Sequence, residues 1–199
     1  MESKMILYFD MDGVLVDFES GVRRLPEEAV REYDGRLDEV PGIFALMDPM
    51  PGAIEAVEEL SKHYDAYILS TAPWNNPSAW ADKVRFVQKY FPKVFRKRLI
   101  LSHRKDLLRG DFLIDDRPKH GAKAFRGEWI QMGSERFPDW KAVLKYLIPV
   151  PERKFLKEKW VVNEFCGTPE LNHYYETGEL PKDETMRKLY EQMIEKGEI

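Results

Sequence analysis

The amino-acid sequence predicts an α/β fold built on a doubly wound parallel sheet. Short apolar runs recur along the chain, and segments with helical spacing of apolar residues separate most of them. Runs without alternating polar residues are typical of parallel strands buried on both faces. Strands that alternate with helices favour a doubly wound sheet. The predicted strands are Met5–Phe9, Ala66–Leu69, Leu99–Leu101, Phe112–Ile114 and Trp129–Met132.

Helices are predicted at 51–64, 75–91 and 138–147. The second of these has Asn76 as a candidate N-cap and Pro77 at the first helical position, where proline is favoured. The predicted buried stripes are Ile54, Val57 and Leu60 in the first helix, Trp80, Val84, Val87 and Phe91 in the second, and Trp140, Val143, Leu144 and Leu147 in the third.

Two regions interrupt the alternation and suggest the domain organisation. Residues 18–49 follow the first strand and have a helical pattern, which predicts a small helical cap over the site. Residues 1–17 and 50–148 then form the α/β core. Residues 149–199 are highly charged, with two weak helical stretches, and predict a solvated C-terminal helical extension of unknown role. Such an extension could also cover a second subunit, so a homodimer is one option.

The composition excludes several classes of function. The net charge is −4 and the pI is about 5.7, so the basic excess typical of proteins that bind nucleic-acid polymers is absent. The longest apolar runs fall well short of the roughly 18 residues needed for a membrane span. Cys166 is the only cysteine, which argues against a disulfide framework. A cytoplasmic protein that acts on a small molecule is expected.

Polar side chains follow four of the predicted strands. Because ligands bind at the carboxyl ends of parallel strands, these side chains are expected to lie together. Carboxylates held close repel one another unless a cation is present, and an all-oxygen ligand set favours Mg²⁺. The residues are Asp10 and Asp12 after the first strand, Ser70 and Thr71 after the second, Lys105 after the third, and Asp115 and Asp116 after the fourth.

This set of residues suits phosphoryl transfer. A carboxylate such as Asp10 can attack phosphorus and form an aspartyl-phosphate. Mg²⁺ and a lysine neutralise the phosphoryl oxygens, and hydroxyls with backbone amides hold them. A second carboxylate two residues on, Asp12, can protonate a poor leaving group. Gly13 lets the backbone turn tightly beside them.

The same residues resemble a known family. The stretch "DMDGV", a Ser/Thr at the second strand end, an isolated lysine and a strand ending in "DD" are similar to the four motifs of the haloacid dehalogenase superfamily of phosphatases. The stretches "DMDGVLVDF", "PMPGAIEAVEEL", "ILSTAPWNNPSAWADKVRFVQKYF" and "RLILSHRKDLLRGDFLIDDRP" resemble the 5′(3′)-deoxyribonucleotidases of the cytosolic type C group. The resemblance extends over roughly Lys4 to Leu147. It implies a Rossmann-like core and a Mg²⁺-dependent hydrolase of nucleoside monophosphates, deoxy forms preferred.

For the catalytic residues the resemblance implies specific roles. Asp10 is the nucleophile and a Mg²⁺ ligand. Asp12 is the general acid and later the base that activates water, and its carbonyl also binds the metal. Ser70 hydrogen-bonds the phosphoryl group, although the order Ser70-Thr71 leaves open which hydroxyl makes the main contact. Lys105 bridges Asp10 and the phosphate.

The resemblance also implies the remaining metal and substrate contacts. Asp116 matches a direct metal ligand, and Asp115 matches a residue that holds a metal-bound water. Phe18 matches an aromatic position that stacks on the nucleobase, and Ile43 and Phe44 fall near the rest of that pocket. For Phe18, packing within the cap explains the residue equally well.

Alternatives remain at this stage. One is a phosphatase for another small metabolite, such as a sugar phosphate, and another is a non-catalytic phosphate-binding regulatory protein. A transferase or ATPase of the same fold is disfavoured, because such proteins tend to have threonine where this chain has Asp12. Trp74 is expected to be wall or core, and Arg117 to be either an ion-pair partner or a phosphate contact.

Overall fold

A computed structural model of the chain describes residues 4–148 together with residues 180, 187, 188 and 191. The strands are β1 (Ile6–Phe9), β2 (Val16–Asp17), β3 (Asp48–Pro49), β4 (Asp65–Ser70), β5 (Leu99–Leu101), β6 (Phe112–Asp115) and β7 (Glu128–Gln131). The α-helices in residues 4–148 are α1 (Phe18–Val22), α2 (Glu27–Glu32), α3 (Ala53–His63), α4 (Pro77–Tyr90) and α5 (Trp140–Leu147).

The main sheet has five strands in the order β5-β4-β1-β6-β7, and all neighbouring pairs are parallel. Every strand of this sheet lies where the sequence predicts one, with ends that differ by at most one residue. The chain moves outward from β1 in one direction through β4 and β5, and returns to the other side for β6 and β7. The α/β fold predicted from the sequence is therefore confirmed, with β1 at its centre.

The central strand is buried on both faces, as its continuous apolar run predicts. Leu7 and Phe9 join the large hydrophobic cluster that also contains the buried apolar residues of α3, α4 and α5. Tyr8 points to the opposite face and joins a smaller cluster with Leu69 and Leu113. That second face is covered in part by a short 3₁₀ helix, Ala122–Ala124.

The insertion after β1 contains more than the helices predicted for it. Besides α1 and α2 it has two 3₁₀ helices, Leu37–Glu39 and Ile43–Leu46. Its two ends are held together by the antiparallel pairing of β2 with β3. The pairing returns the chain to α3 close to where it left β1, so the insertion stands at the carboxyl end of the central strand.

The buried face of α4 differs from the predicted stripe. Val84 is 41% exposed, whereas Lys83 is 1% exposed and lies on the same face as the buried Phe86 and Val87. The prediction was wrong at Val84 because it followed hydrophobic residues only. Two charged residues, Asp82 and Lys83, occupy the buried face instead.

Asn76 precedes α4, but its side chain accepts no hydrogen bond from a backbone N–H of the helix. Asn76 therefore occupies the predicted N-cap position, but its side chain does not make the capping hydrogen bond. The amide of Asn76 donates to the carbonyl oxygens of Asp38 and Val40, both at 2.9 Å, and its oxygen accepts from Ser78 Oγ at 2.7 Å. Asn76 thereby ties the returning segment of the insertion to the start of α4.

The predicted extension, residues 149–199, lies almost entirely outside the described residues. No helix in the described part of the chain is long and apolar enough to cross a membrane.

Candidate active site

Three neighbouring strand ends bring the predicted residues together. Ser70 ends β4, Asp10 follows β1 and Asp115 ends β6, and these strands are adjacent in the sheet. The backbone N–H of Asp10 donates to the carbonyl of Ile114 at 2.8 Å, which continues the ladder and fixes Asp10 beside β6. All three polar side chains are buried. The carboxyl edge of the parallel sheet thus holds these three side chains next to one another.

Lys105 connects Asp10 to Asp115. Its ammonium lies 3.0 Å from Asp10 Oδ2 and donates a short hydrogen bond to Asp115 Oδ2. Its backbone N–H donates to the carbonyl of His120 at 2.8 Å, which secures the loop that carries it. Burial lowers the pKa of Lys105, but the charges of Asp10 and Asp115 outweigh burial, and its pKa is raised. Lys105 is therefore a charged residue at the centre of the site.

Asp10, Asp115 and Asp116 form an acidic cluster suited to a metal ion. One carboxylate oxygen from each lies within 4.8 Å of the others. Burial is the main cause that raises the pKa of Asp115 to about 6, and it also raises the pKa of Asp116; the charge of Asp10 adds to both shifts. An all-oxygen donor set with excess negative charge is what a hard cation such as Mg²⁺ binds. The residues present therefore fit the predicted metal.

Gly13 makes room for this cluster. Its φ is +74°, a left-handed conformation that costs an L-residue free energy. A Cβ atom at this position would lie 2.4 Å from Asp116 Oδ2. The glycine is therefore needed both for the turn after Asp12 and for the position of the Asp116 carboxylate.

Gly13→Ala is expected to weaken metal binding by at least about tenfold and to lower the free energy of unfolding by about 1–2 kcal/mol. Gly35→Ala is the matched control, because Gly35 has the same φ of +74° but no atom within 4 Å of where a Cβ would stand. Calorimetric Mg²⁺ titration and chemical denaturation of both variants measure the two effects. Equal Mg²⁺ affinity in the two variants would contradict the contact with Asp116.

Asp12 lies in a second charged group, formed with a residue that the sequence analysis missed. Its Oδ2 accepts a hydrogen bond from Lys83 Nζ at 2.7 Å, and Lys83 Nζ also lies 3.2 Å from Ser70 Oγ. Burial raises the pKa of Asp12, with Lys83 opposing and Asp10 adding to the rise. The missed signal was helical spacing, since Lys83 is four residues from both Ala79 and Val87 on the buried face of α4.

The two hydroxyls after β4 have different partners. Ser70 Oγ faces Lys83, as described above. Thr71 Oγ1 donates to the carbonyl of Ser102 at 2.8 Å. The backbone N–H of Ser102 in turn donates to the carbonyl of Ser70 at 2.8 Å. The hydroxyl proton of Thr71 is therefore used to join the loops after β4 and β5.

The residues predicted to contact a nucleobase pack against one another. Phe18 is half-buried and meets Phe44 edge to face, with ring centroids 6.0 Å apart. Ile43 and Phe44 are buried in the large hydrophobic cluster. Only Phe18 of the three presents a partly exposed surface, and the nucleobase contact stays a prediction.

Trp74 and Arg117 each follow one of the motifs in the chain. Trp74 is 80% exposed, so the prediction is wrong for the core, and its place in the wall of the site stays a prediction; its ring meets that of His103 edge to face. Arg117 is exposed, and its Nε lies 3.4 Å from Asp116 Oδ2, which favours the ion-pair interpretation.

Comparisons with known proteins place these residues in a family. The family described as "5' nucleotidase, deoxy (Pyrimidine), cytosolic type C protein" matches residues 26–138. A protein of Vibrio phage KVP40 is 57% identical over 144 residues, which are 72% of this chain and 85% of that protein. A Staphylococcus aureus protein is 32% identical over 134 residues, which are 61% of this chain and 73% of that protein. Both relatives are named "Putative 5'(3')-deoxyribonucleotidase".

A human protein is also similar. The human "5'(3')-deoxyribonucleotidase, cytosolic type" is 31% identical over 182 residues, covering 74% of this chain and 85% of that protein. Among solved structures, the "putative HAD-hydrolase YfnB from Bacillus subtilis" has 14% identity and a TM-score of 0.49, covering 74% of this chain and 100% of that chain. The family match covers more than half of the chain, and the phage and human relatives are at least 30% identical over most of their length, so the chain belongs to the cytosolic type C 5′(3′)-deoxyribonucleotidase family.

Proposed function

We propose that this protein is a Mg²⁺-dependent phosphatase that hydrolyses nucleoside monophosphates, preferably deoxyribonucleoside monophosphates, through a phosphoaspartate intermediate. The observation that carries the proposal is the position of Asp10, which lies at the end of the central strand, beside Lys105 and within the acidic cluster. The printed names of the relatives support the substrate class. The human relative's cytosolic type supports a cytoplasmic setting.

In this proposal Asp10 attacks the phosphorus atom and Lys105 neutralises a phosphoryl oxygen. Asp10 Oδ1 accepts a hydrogen bond from the backbone N–H of Met11 at 2.8 Å, and Oδ2 lies 3.0 Å from Lys105 Nζ, so the carboxylate has a fixed orientation. Asp10, Asp115, Asp116 and the carbonyl of Asp12 would hold Mg²⁺. The ion, when bound, supplies positive charge that offsets the developing charge on the phosphoryl group.

Asp12 acts on the leaving group. Its raised pKa, caused first by burial, favours the protonated form that a general acid needs. Once the leaving alkoxide has taken this proton and departed as an alcohol, the Asp12 carboxylate can accept a proton from the water that hydrolyses the phosphoaspartate. A nucleoside is a poor leaving group without such a donor, so this residue favours phosphate esters as substrates.

Ser70 is the better candidate for the phosphoryl contact, because the hydroxyl of Thr71 already donates to Ser102. Phe18 remains the best candidate for a nucleobase contact, since its ring is partly exposed next to Phe44. Ile43 contributes to that pocket by shaping it from the buried side.

The proposal is tested by phosphate release with Mg²⁺ from a panel of substrates. The panel contains deoxy- and ribonucleoside monophosphates of all bases, their 3′ and 5′ isomers, and several sugar phosphates. Deoxyribonucleoside monophosphates are expected to give the highest kcat/KM. A preference for sugar phosphates would overturn the substrate class, and phosphate binding without turnover of any substrate would indicate a regulatory protein.

Mg²⁺ binding is expected to weaken as the pH falls through about 6. The pKa of Asp115 is raised to about 6, above the ordinary value of about 3.9, so protons compete with the metal in a range where most aspartates are ionised. Without metal, the raised pKa of Asp115 affects stability in the other direction. The free energy of unfolding falls as the pH rises through about 6, because ionising Asp115 disfavours the folded state.

Calorimetric Mg²⁺ titrations at about pH 5, 6.5 and 8 measure this dependence, and the apparent Kd is expected to rise up to about tenfold per pH unit below 6. Asp115→Asn should bind Mg²⁺ more weakly but with a flatter pH dependence. A Kd that does not change between about pH 5 and 8 would contradict the role of this carboxyl.

A further inference from the structure

Lys83 is a buried lysine outside the four motifs of the superfamily. Its side chain is 1% exposed, and its ammonium lies 2.7 Å from Asp12 Oδ2 and 3.2 Å from Ser70 Oγ. It therefore connects the residue proposed as the acid to the residue proposed to bind the phosphoryl group.

The chemistry of an ammonium fixes the direction of both contacts. It has three N–H donors and no acceptor, so Ser70 Oγ must accept from Lys83 and its own proton must point elsewhere. Ser70 is fully buried, and within residues 4–148 no acceptor for that proton is found, so the described residues do not fix its direction. In Asp12, Oδ2 is engaged by Lys83, whereas Oδ1 is buried and has no hydrogen-bond partner within the described residues. One oxygen of Asp12 is thus anchored, and the other lacks a hydrogen-bond partner among the described residues.

The insertion keeps the ammonium in place from another side. Lys83 Nζ lies over the ring of Phe44, 4.9 Å from its centroid, at a distance where a cation and an aromatic face attract each other. The segment that carries Phe44 is tied to the start of α4 by the hydrogen bonds of Asn76 to Asp38 and Val40. The lysine is therefore held by a carboxylate, a hydroxyl and an aromatic ring.

We propose that Lys83 is a positioning residue for the leaving-group step. It anchors Asp12 through Oδ2 so that Oδ1 faces the leaving oxygen, and it turns the hydroxyl of Ser70 toward the phosphoryl group. Lys83 itself exchanges no proton in the reaction. This inference rests on the proposed function, because Lys83 acts through the acid of that reaction.

Lys83→Met removes the ammonium and keeps an unbranched side chain. The measurement is the first-turnover release of the leaving group, with Mg²⁺, from a deoxynucleoside monophosphate and from an aryl phosphate. If the acid is misplaced, release of the leaving group should slow by about 10²-fold for the alkyl ester. It should slow by less than about tenfold for the aryl ester, because the aryl oxide leaves without a proton. Equal losses on the two esters would overturn the inference and indicate a structural role only.

Two further variants make the test specific. Lys89→Met is the control, because Lys89 lies on the same helix and over an aromatic ring, 4.6 Å from the Tyr90 centroid, but is exposed. It is expected to leave both rates unchanged. Lys83→Gln retains an N–H donor and should therefore recover part of the alkyl-ester rate that Lys83→Met loses. Restored packing alone would not raise the alkyl-ester rate more than the aryl-ester rate.

A double-mutant cycle with Asp12→Asn tests the route through Asp12. If Lys83 acts through this carboxyl, Lys83→Met should add little to the loss already caused by Asp12→Asn on the alkyl ester. The urea midpoints of the same variants should also be coupled, because both changes alter the same contact between Lys83 Nζ and Asp12 Oδ2. Additive effects on both the rate and the midpoint would overturn the contact. Failure of the proposed function would look different, since the unmodified protein would then release no phosphate from any ester.

Discussion

Asp10→Asn is expected to abolish phosphate release, with a loss of at least about 10⁴-fold in kcat, while the protein remains folded. An amide oxygen can still accept the hydrogen bond from the Met11 N–H, and Lys105 keeps its ion pair with Asp115. The local geometry should therefore survive. The amide cannot form an aspartyl-phosphate, so the first chemical step has no nucleophile.

The measurement is Mg²⁺-dependent phosphate release from a deoxynucleoside monophosphate, with the urea midpoint recorded in parallel. Asp34→Asn is a suitable control, since Asp34 is an exposed residue of the insertion. Retained Mg²⁺-dependent turnover by Asp10→Asn in a folded protein would contradict the phosphoaspartate mechanism.

Asp12→Asn is expected to have a large effect that depends on the leaving group. Release of the nucleoside from a deoxynucleoside monophosphate should fall by about 10²–10⁴-fold, because the alkoxide then leaves without a proton. An aryl phosphate should lose at most about tenfold in the same step, since its leaving group is far more acidic. The replacement keeps an oxygen that can accept from Lys83, so the fold should be retained.

First-turnover kinetics separate this effect from the second role of Asp12. In the steady state, loss of the base that activates water would slow both esters alike, whereas the burst of leaving group reports only the first step. If Asp12→Asn lowers the burst rate by the same factor on alkyl and aryl esters, Asp12 is excluded as the acid.

The residues proposed as nucleophile and metal ligands could be identified from the sequence because they lie at or directly after the ends of predicted strands. A continuous apolar run marks a buried parallel strand, and a parallel sheet collects its strand ends at one edge. Asp10, Ser70 and Asp115 therefore had to meet once the runs before them formed neighbouring strands.

Residues between the strands were harder to predict. The 3.6-residue period of α4 can be read from the sequence, but the apolar stripe through Val84 competed with the stripe that contains Lys83. Hydrophobicity favoured the first stripe. Burying a lysine costs free energy unless hydrogen-bond partners are buried beside it. The partners of Lys83 are Asp12 and Ser70, which follow or end other elements of the fold.

By itself, then, the sequence determined the parallel sheet, the order of the four motifs and which polar residues lie at the strand ends, because these depend on local periodicity and on the rules of parallel sheets. Only the tertiary structure decided that Lys83 belongs to the site, that Thr71 donates its proton to Ser102, that Asn76 ties the insertion to α4 and that Trp74 is exposed. The physical reason is common to all four: each side chain's partners, or its exposure, depend on packing between segments far apart in the chain, which no local pattern records.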